Sequence, residues 1–104
     1  MEMAMYIMRV LKSQLMVVWS WGFNSPKAIA NGLRFKVQGF KFKGTVEVVY
    51  NDGTDLFDIS FVSRGEIVEA VEGIYIDQLV TVIDSQVEKV DNYNERVEAE
   101  YSLL

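Results

Sequence analysis

The acidic side chains are the first place to look for chemistry, because the 104-residue chain contains neither histidine nor cysteine. Histidine is the commonest general base and transition-metal ligand, and cysteine is a strong nucleophile and a soft metal ligand. Their absence argues against zinc, haem and iron–sulfur sites and against Ser–His–Asp or Cys–His catalysis. Carboxylates alone remain for acid–base work or for binding a hard metal ion.

Two groups of acidic residues are close enough in sequence to be weighed as sites. Asn51, Asp52 and Asp55 lie around a glycine like an oxygen-rich calcium loop, but they lack the alternating ligands and distal glutamate of an EF-hand. A tight hairpin turn accounts for the same residues. The second group is best explained as charge that protects an edge strand. Its members are Glu66, Glu69 and Glu72. We therefore predict no catalytic residue, no metal ligand and no cofactor.

Positive charge is concentrated in the first half of the chain. Residues 1–53 carry seven basic and three acidic side chains, a net charge of +4, whereas residues 54–104 carry three and twelve, a net charge of −9. The residues of a candidate anion-binding or nucleic-acid-binding face are Lys27, Arg34, Lys36, Lys41 and Lys43. In a strand, Arg34 and Lys36 point away from Phe35, so no aromatic ring lies beside the cations to stack on bases. Nucleic acid is therefore the alternative rather than the preferred partner, and the total charge of −5 also opposes a polyanion.

The densest aromatic segment is formed by Trp19, Trp21 and Phe23. Large aromatic side chains anchor small cores, so core packing is the default interpretation. The three residues lie at positions i, i+2 and i+4 and cannot share one helical stripe, so at least one is expected near the surface. An exposed Trp would mark a protein interface, because Trp is enriched at binding hot spots. The sequence leaves open which Trp is exposed.

Hydrophobic spacing predicts an N-terminal helix over residues 3–21, although alternation in its second half also fits a strand. The apolar face of this helix would consist of Ala4, Ile7, Leu11, Leu15 and Val18. Residues 25–32 allow either a short helix begun by Ser25 and Pro26 or a hairpin that turns at Asn31 and Gly32. We favour the hairpin, because Asn-Gly between apolar runs is a strong hairpin signal.

Alternating apolar residues predict antiparallel strands over residues 33–37, 42–50, 55–62 and 66–71. The connections are too short for parallel crossovers. The turn after the second of these strands is expected to need positive φ at Gly53.

The C-terminal third is predicted to be helical, because apolar residues recur every three or four positions. The stripe consists of Ile76, Val80, Ile83, Val87 and Val90. Ile83 is expected in the core, whereas Glu88 is expected to contribute little to stability. A last helix is expected over residues 92–104, where Asn92 and Glu95 have the spacing of a capping box.

The stretches LRFKVQGFKFKG (33–44) and DLFDI (55–59), with residues 75–89, resemble small uncharacterised proteins of bacterial phages and mobile elements. The resemblance rests on positions of the core pattern and brings no catalytic motif or activity with it. It implies a bacterial accessory protein.

The predicted architecture is a single α+β domain over residues 1–104. It has an N-terminal helix, a four- to five-stranded antiparallel meander sheet and two C-terminal helices packed on one face. A chain without cysteine and without an apolar run of about 20 residues is expected in the cytoplasm. The functional prediction is a non-enzymatic protein–protein interaction module whose partner is another protein or a second copy of itself. The alternative is nucleic-acid or anion binding through a basic sheet face.

Overall fold

The structure is a computed structural model, and it describes residues 2–88. Its helices are α1 (Met3–Lys12), α2 (Leu15–Ser20) and α3 (Leu79–Val87), the last preceded by a 3-10 turn (Ile76–Gln78). Its strands are β1 (Asn24–Ile29), β2 (Gly32–Gln38), β3 (Lys43–Asn51), β4 (Leu56–Ser63) and β5 (Glu66–Ile74). The strands form one antiparallel sheet in the order β1-β2-β3-β4-β5. The predicted α+β class and meander are confirmed, and the helix expected over residues 92–104 lies outside the described residues.

One face of the sheet is apolar, because alternate residues of the three central strands point the same way. The buried members on these strands are Leu33, Phe35, Val37, Val46, Val48, Phe57, Ile59 and Phe61. The helices bury their own stripes in the same core, and these include Ile7, Leu11, Val18, Leu79, Ile83 and Val87. The core therefore lies between the helices and one sheet face.

The N-terminal helix is divided into two. The Ser13 hydroxyl donates to the Val10 carbonyl, and Gln14 leaves the helical region with φ −130° and ψ 56°. A hydroxyl that bonds its own backbone competes with helix propagation at that point. The interruption removes Leu15 from the buried stripe, whereas Val18 is buried as expected and Trp21 is buried with it.

The first hairpin is confirmed, although its turn falls one residue earlier than expected. Ile29 pairs with Gly32, so the two connecting residues are Ala30 and Asn31, and Asn31 takes positive φ (54°). In the β3–β4 turn, the positive φ falls on Asp55 (60°) and not on Gly53. Both residues belong to the types that tolerate this backbone region best after glycine.

The C-terminal end of α3 is held by the loop between β2 and β3. The Lys41 and Phe42 backbone N–H groups donate to the Val87 carbonyl at 2.9 and 3.2 Å. The Lys41 Nζ donates to the Ser85 carbonyl at 3.0 Å, and the Glu88 Oε2 accepts from the Phe40 N–H at 3.0 Å. Helix carbonyls left without partners inside the helix are thereby satisfied, and a cation lies at the negative end of the helix dipole.

Candidate functional site

Trp21 belongs to the core. It is 0% exposed, and its indole Nε1 donates to Asp84 Oδ1 of α3 at 2.9 Å. Its carbonyl accepts from the Gln38 N–H of β2 at 2.6 Å, which ties the segment after α2 to the sheet. Its ring stacks on Phe35 with centroids 6.4 Å apart. The structure therefore removes Trp21 from the proposed interface, because a fully buried ring offers no surface to a partner.

Phe23 is also largely occupied by the protein itself. Its ring centroid lies 4.8 Å from that of Phe35, and the side chain is half-buried against the core. Of the three aromatic residues proposed for the interface, Phe23 therefore has only part of its side chain exposed to a partner.

Trp19 lies on the surface and has apolar neighbours there. It is 63% exposed, and Met16 (78%) and Leu15 (41%) are exposed on the same short helix. These three residues are called the α2 patch below. Exposed Arg9 and Lys12 occupy the last turn of α1, directly before it. The α2 patch is thus an exposed apolar surface on one short helix, and two basic residues precede it in the chain.

Leu15 and Met16 were not identified from the sequence as interface residues. The periodicity placed Leu15 in the buried stripe, since it follows Leu11 at the helical spacing of four. The signal that could have corrected this is the polar pair Ser13 and Gln14, which interrupts the helix in the structure. Sequence periodicity alone does not detect so short an interruption between two helices.

Four of the five basic residues lie together on the sheet face opposite the helices. Cross-strand partners share a face, and Lys27 pairs with Arg34 while Lys36 pairs with Thr45. Lys43 follows the same face two residues before Thr45. These residues, Lys27, Arg34, Lys36 and Lys43, are called the basic face below. Glu47 lies among them and forms an ion pair with Arg34, with Nε and Oε2 2.7 Å apart.

Lys41 is not part of the basic face. Its ammonium group is bonded to a backbone carbonyl at the end of α3, so it acts as a helix-capping cation. The sequence grouped it with the other lysines because it lies next to them in the chain. The hydrogen bond to Ser85, 44 residues away, is a tertiary contact.

The carboxylates weighed as metal ligands lie in turns and on the edge strand β5. Asn51 Oδ1 accepts from the Gly53 N–H at 2.9 Å, as in an Asx-type turn. Glu66, Glu69 and Glu72 are exposed on β5, the last strand of the sheet. Within residues 2–88, no three His, Cys, Asp or Glu side chains are placed to share a metal ion.

No family model matches the chain, and neither a curated protein nor a solved structure is significantly similar to it. In the described part of the chain, none of the helices has the length and apolar character to cross a membrane. Function is therefore inferred from the exposed surfaces of the protein itself.

Proposed function

We propose that this protein is a non-enzymatic interaction module of a bacterial cell or mobile element, acts in the cytoplasm and binds a protein partner through the α2 patch. The observation that carries the proposal is the exposure of Leu15, Met16 and Trp19 on one six-residue helix. The lack of histidine and cysteine and the resemblance to phage and mobile-element proteins support the non-enzymatic role and the bacterial setting.

The composition of the α2 patch fits a binding surface. Trp and Met are enriched in the buried centres of interfaces, and a Trp at such a centre contributes about 2 kcal/mol or more when truncated. A monomer that leaves these side chains in water forgoes hydrophobic stabilisation of about 25 cal/mol for each Å² of apolar surface. Arg9 and Lys12 precede the patch in the chain, so a partner whose apolar surface is bordered by acidic side chains would be favoured.

The test compares partner capture by three forms of the protein from its native host. The wild type and Ile67→Ser, which alters an exposed apolar side chain on β5, should retain the same partner, whereas Trp19→Ser should lose it. With that partner purified, Trp19→Ser should weaken binding by about 30-fold, corresponding to about 2 kcal/mol. Equal retention by all three forms would contradict the proposal.

Self-association is the second outcome that the same variants resolve. If the partner is another copy of this chain, sedimentation equilibrium should show a dimer for the wild type and for Ile67→Ser, and a monomer for Trp19→Ser. A wild-type protein that is monomeric and captures nothing through Trp19 would refute the role of the α2 patch.

The basic face is the observation behind the alternative function, binding of nucleic acid or another anion. Its four cations lie on three adjacent strands, and Lys and Arg are the side chains that neutralise phosphates. Two features weaken it, since Arg34 is paired with Glu47 and no aromatic residue of β2 points to that face.

A further inference from the structure

A concave pocket of about 600 Å³ lies beside the start of α1, between the β3–β4 turn and the segment that follows β5. Three tyrosine rings line it, and they come from Tyr6, Tyr50 and Tyr75. Phe57 also lines the pocket and is buried, so it forms the floor. Asp55 and Asp77 line it and are exposed, so their carboxylates lie at the mouth. This site is called the tyrosine pocket below.

The carboxylate of Asp55 is held in place. The Asp55 N–H donates to the Asn51 carbonyl at 2.8 Å, and the backbone takes positive φ (60°). The Tyr50 hydroxyl donates to Asp55 Oδ1. That hydrogen bond is the main reason that the pKa of Tyr50 is raised above its ordinary value of 10.0. A phenol with its ordinary pKa is already neutral at physiological pH, so Tyr50 is uncharged there, and its ring is tilted by 57° against Phe57 with centroids 5.4 Å apart.

The chemistry of the lining favours a positive charge. Aromatic faces attract cations through their quadrupole, and two carboxylates at the mouth add a net charge of −2. Asp52 lies close enough to act electrostatically on Tyr50 and makes the region more negative. Among the described residues, no lysine or arginine lines the pocket. An anion would find only the Tyr hydroxyls as side-chain donors, and one of these is already bonded to Asp55.

The size of the pocket fits a small organic ligand or one long side chain, since ligand sites are typically about 300–1,000 Å³. A bare metal ion fits poorly, because a hard cation prefers six or more oxygen ligands and the pocket offers two carboxylates among aromatic rings. An ammonium group that carries carbon substituents uses both parts of the lining, the aromatic faces and the charge at the mouth.

We propose that the tyrosine pocket binds an alkylammonium cation, with its carbon substituents against the Tyr and Phe rings and its charge balanced by Asp55 and Asp77. Such a group is present in small quaternary amines and in the lysine side chain of a protein. The site is separate from the α2 patch, because none of the residues that line the pocket belongs to α2. The tests of partner binding at the α2 patch and of cation binding in the tyrosine pocket are therefore independent of each other.

The first experiment measures binding of choline chloride and of 3,3-dimethyl-1-butanol, which has the same shape without the charge. Backbone amide shifts of the labelled protein are followed by NMR during each titration. Choline should shift the amides of Tyr6, Tyr50 and Tyr75 and bind at least about tenfold more tightly than the neutral alcohol. Equal affinities for choline and for the neutral alcohol would overturn the proposal, because they would show that the pocket does not recognise the positive charge. No saturable shift up to about 10 mM choline would overturn it as well.

Variants assign the selectivity to the side chains named. The double variant Asp55→Asn/Asp77→Asn keeps the shape of both residues and should weaken choline binding at least about tenfold, while the neutral alcohol is unaffected. Asn also tolerates the positive φ at position 55, so the turn should remain intact. Glu66→Gln, which removes an exposed carboxylate at the start of β5 and outside the lining, is the matched control and should change choline affinity by less than about twofold. Tyr75→Leu should lower the preference for choline over the alcohol, because the apolar contact remains and the π face is lost.

A third titration, with N-acetyl-lysine methylamide, distinguishes the two sources of the cation. Tighter binding of choline identifies a small-molecule ligand, and tighter binding of the lysine derivative identifies a protein side chain. Whichever ligand binds more tightly, its affinity should fall at least about tenfold in the Asp55→Asn/Asp77→Asn variant. Binding that survives this double substitution would place the cation elsewhere and refute the assignment.

Discussion

At the scale of single residues, polar side chains on α3 and at its C-cap bond to distant parts of the chain. Asp84 accepts from the buried indole of Trp21, and Glu88 accepts from the Phe40 N–H. The expectation that Glu88 would contribute little is not what its environment indicates, because only 7% of its surface is exposed. Burial is the main cause of a raised pKa at Glu88; the Phe40 hydrogen bond opposes it and repulsion from Asp84 adds to it.

We expect Glu88→Gln to be more stable than the wild type at about pH 8. Because the folded-state pKa is raised above the unfolded value, the folded protein binds the proton more tightly, and the Glu88 contribution to stability falls as pH rises through that interval. Gln keeps an oxygen acceptor for the Phe40 N–H without the charge. The measurement is the urea midpoint of both proteins at about pH 8 and about pH 4, where the difference should shrink.

Glu66→Gln is the matched control for this prediction, since it removes one exposed carboxylate from β5. Its effect should be smaller than that of Glu88→Gln at the higher pH. A Glu88→Gln protein that is less stable than the wild type at about pH 8 would mean that the carboxylate bond to Phe40 outweighs burial.

At the scale of elements, the position of α3 depends on a glycine, Gly39, in the loop between β2 and β3. Gly39 lies directly against the end of the helix, and a Cβ built there would come within 3.0 Å of the Val87 carbonyl oxygen, a distance that real Cβ atoms essentially never show. The same loop supplies the N–H groups and the Lys41 ammonium that satisfy the last carbonyls of α3. Gly39 is needed there for close approach of two backbones.

Gly39→Ala should therefore displace the end of α3 and destabilise the protein by about 1–3 kcal/mol. Gly53→Ala is the control, because that glycine does not have positive φ and its nearest neighbour would be Asn51 Oδ1 at 3.3 Å. It should change stability by less than about 1 kcal/mol. Thermal unfolding of the two variants beside the wild type tests the prediction, and equal losses would mean that the loop and helix are not in close contact.

At the scale of the whole molecule, charge is distributed unevenly, and the basic face lies on strands β1 to β3. The net charge of −5 repels a polyanion at distances beyond the local cations. Within the basic face, Glu47 neutralises part of the positive charge on Arg34. These two facts place the protein-interaction function ahead of the anion-binding alternative.

We expect no binding of single-stranded or duplex nucleic acid at about 0.15 M salt, measured by fluorescence anisotropy. The variant Lys36→Glu/Lys43→Glu should behave like the wild type in this assay and should fold with nearly unchanged stability, because exposed charges contribute only tenths of a kcal/mol. Micromolar or tighter binding by the wild type, abolished by the double reversal, would favour the anion-binding function instead.

The sequence by itself determined the α+β class, the order of the strands and the division of charge, because strand alternation and helical spacing are local properties of the chain. It also restricted the chemistry, since a chain without histidine or cysteine lacks their reactions whatever its fold. The turn of the first hairpin could be located to within one residue from Asn31, because Asn tolerates positive φ, whereas the positive φ expected at Gly53 falls on Asp55.

Only the tertiary structure decided which aromatic and charged side chains remain exposed to a partner or ligand. Trp19 and Trp21 are two residues apart, yet one is exposed and the other is buried against Asp84, 63 positions later in the chain. Lys41 does not belong to the basic face, because its ammonium group donates to the Ser85 carbonyl near the end of α3. The tyrosine pocket joins Tyr6, Tyr50 and Tyr75, which no local pattern relates. Contacts of this kind depend on how the helices settle on the sheet, and spacing along the chain does not encode that choice.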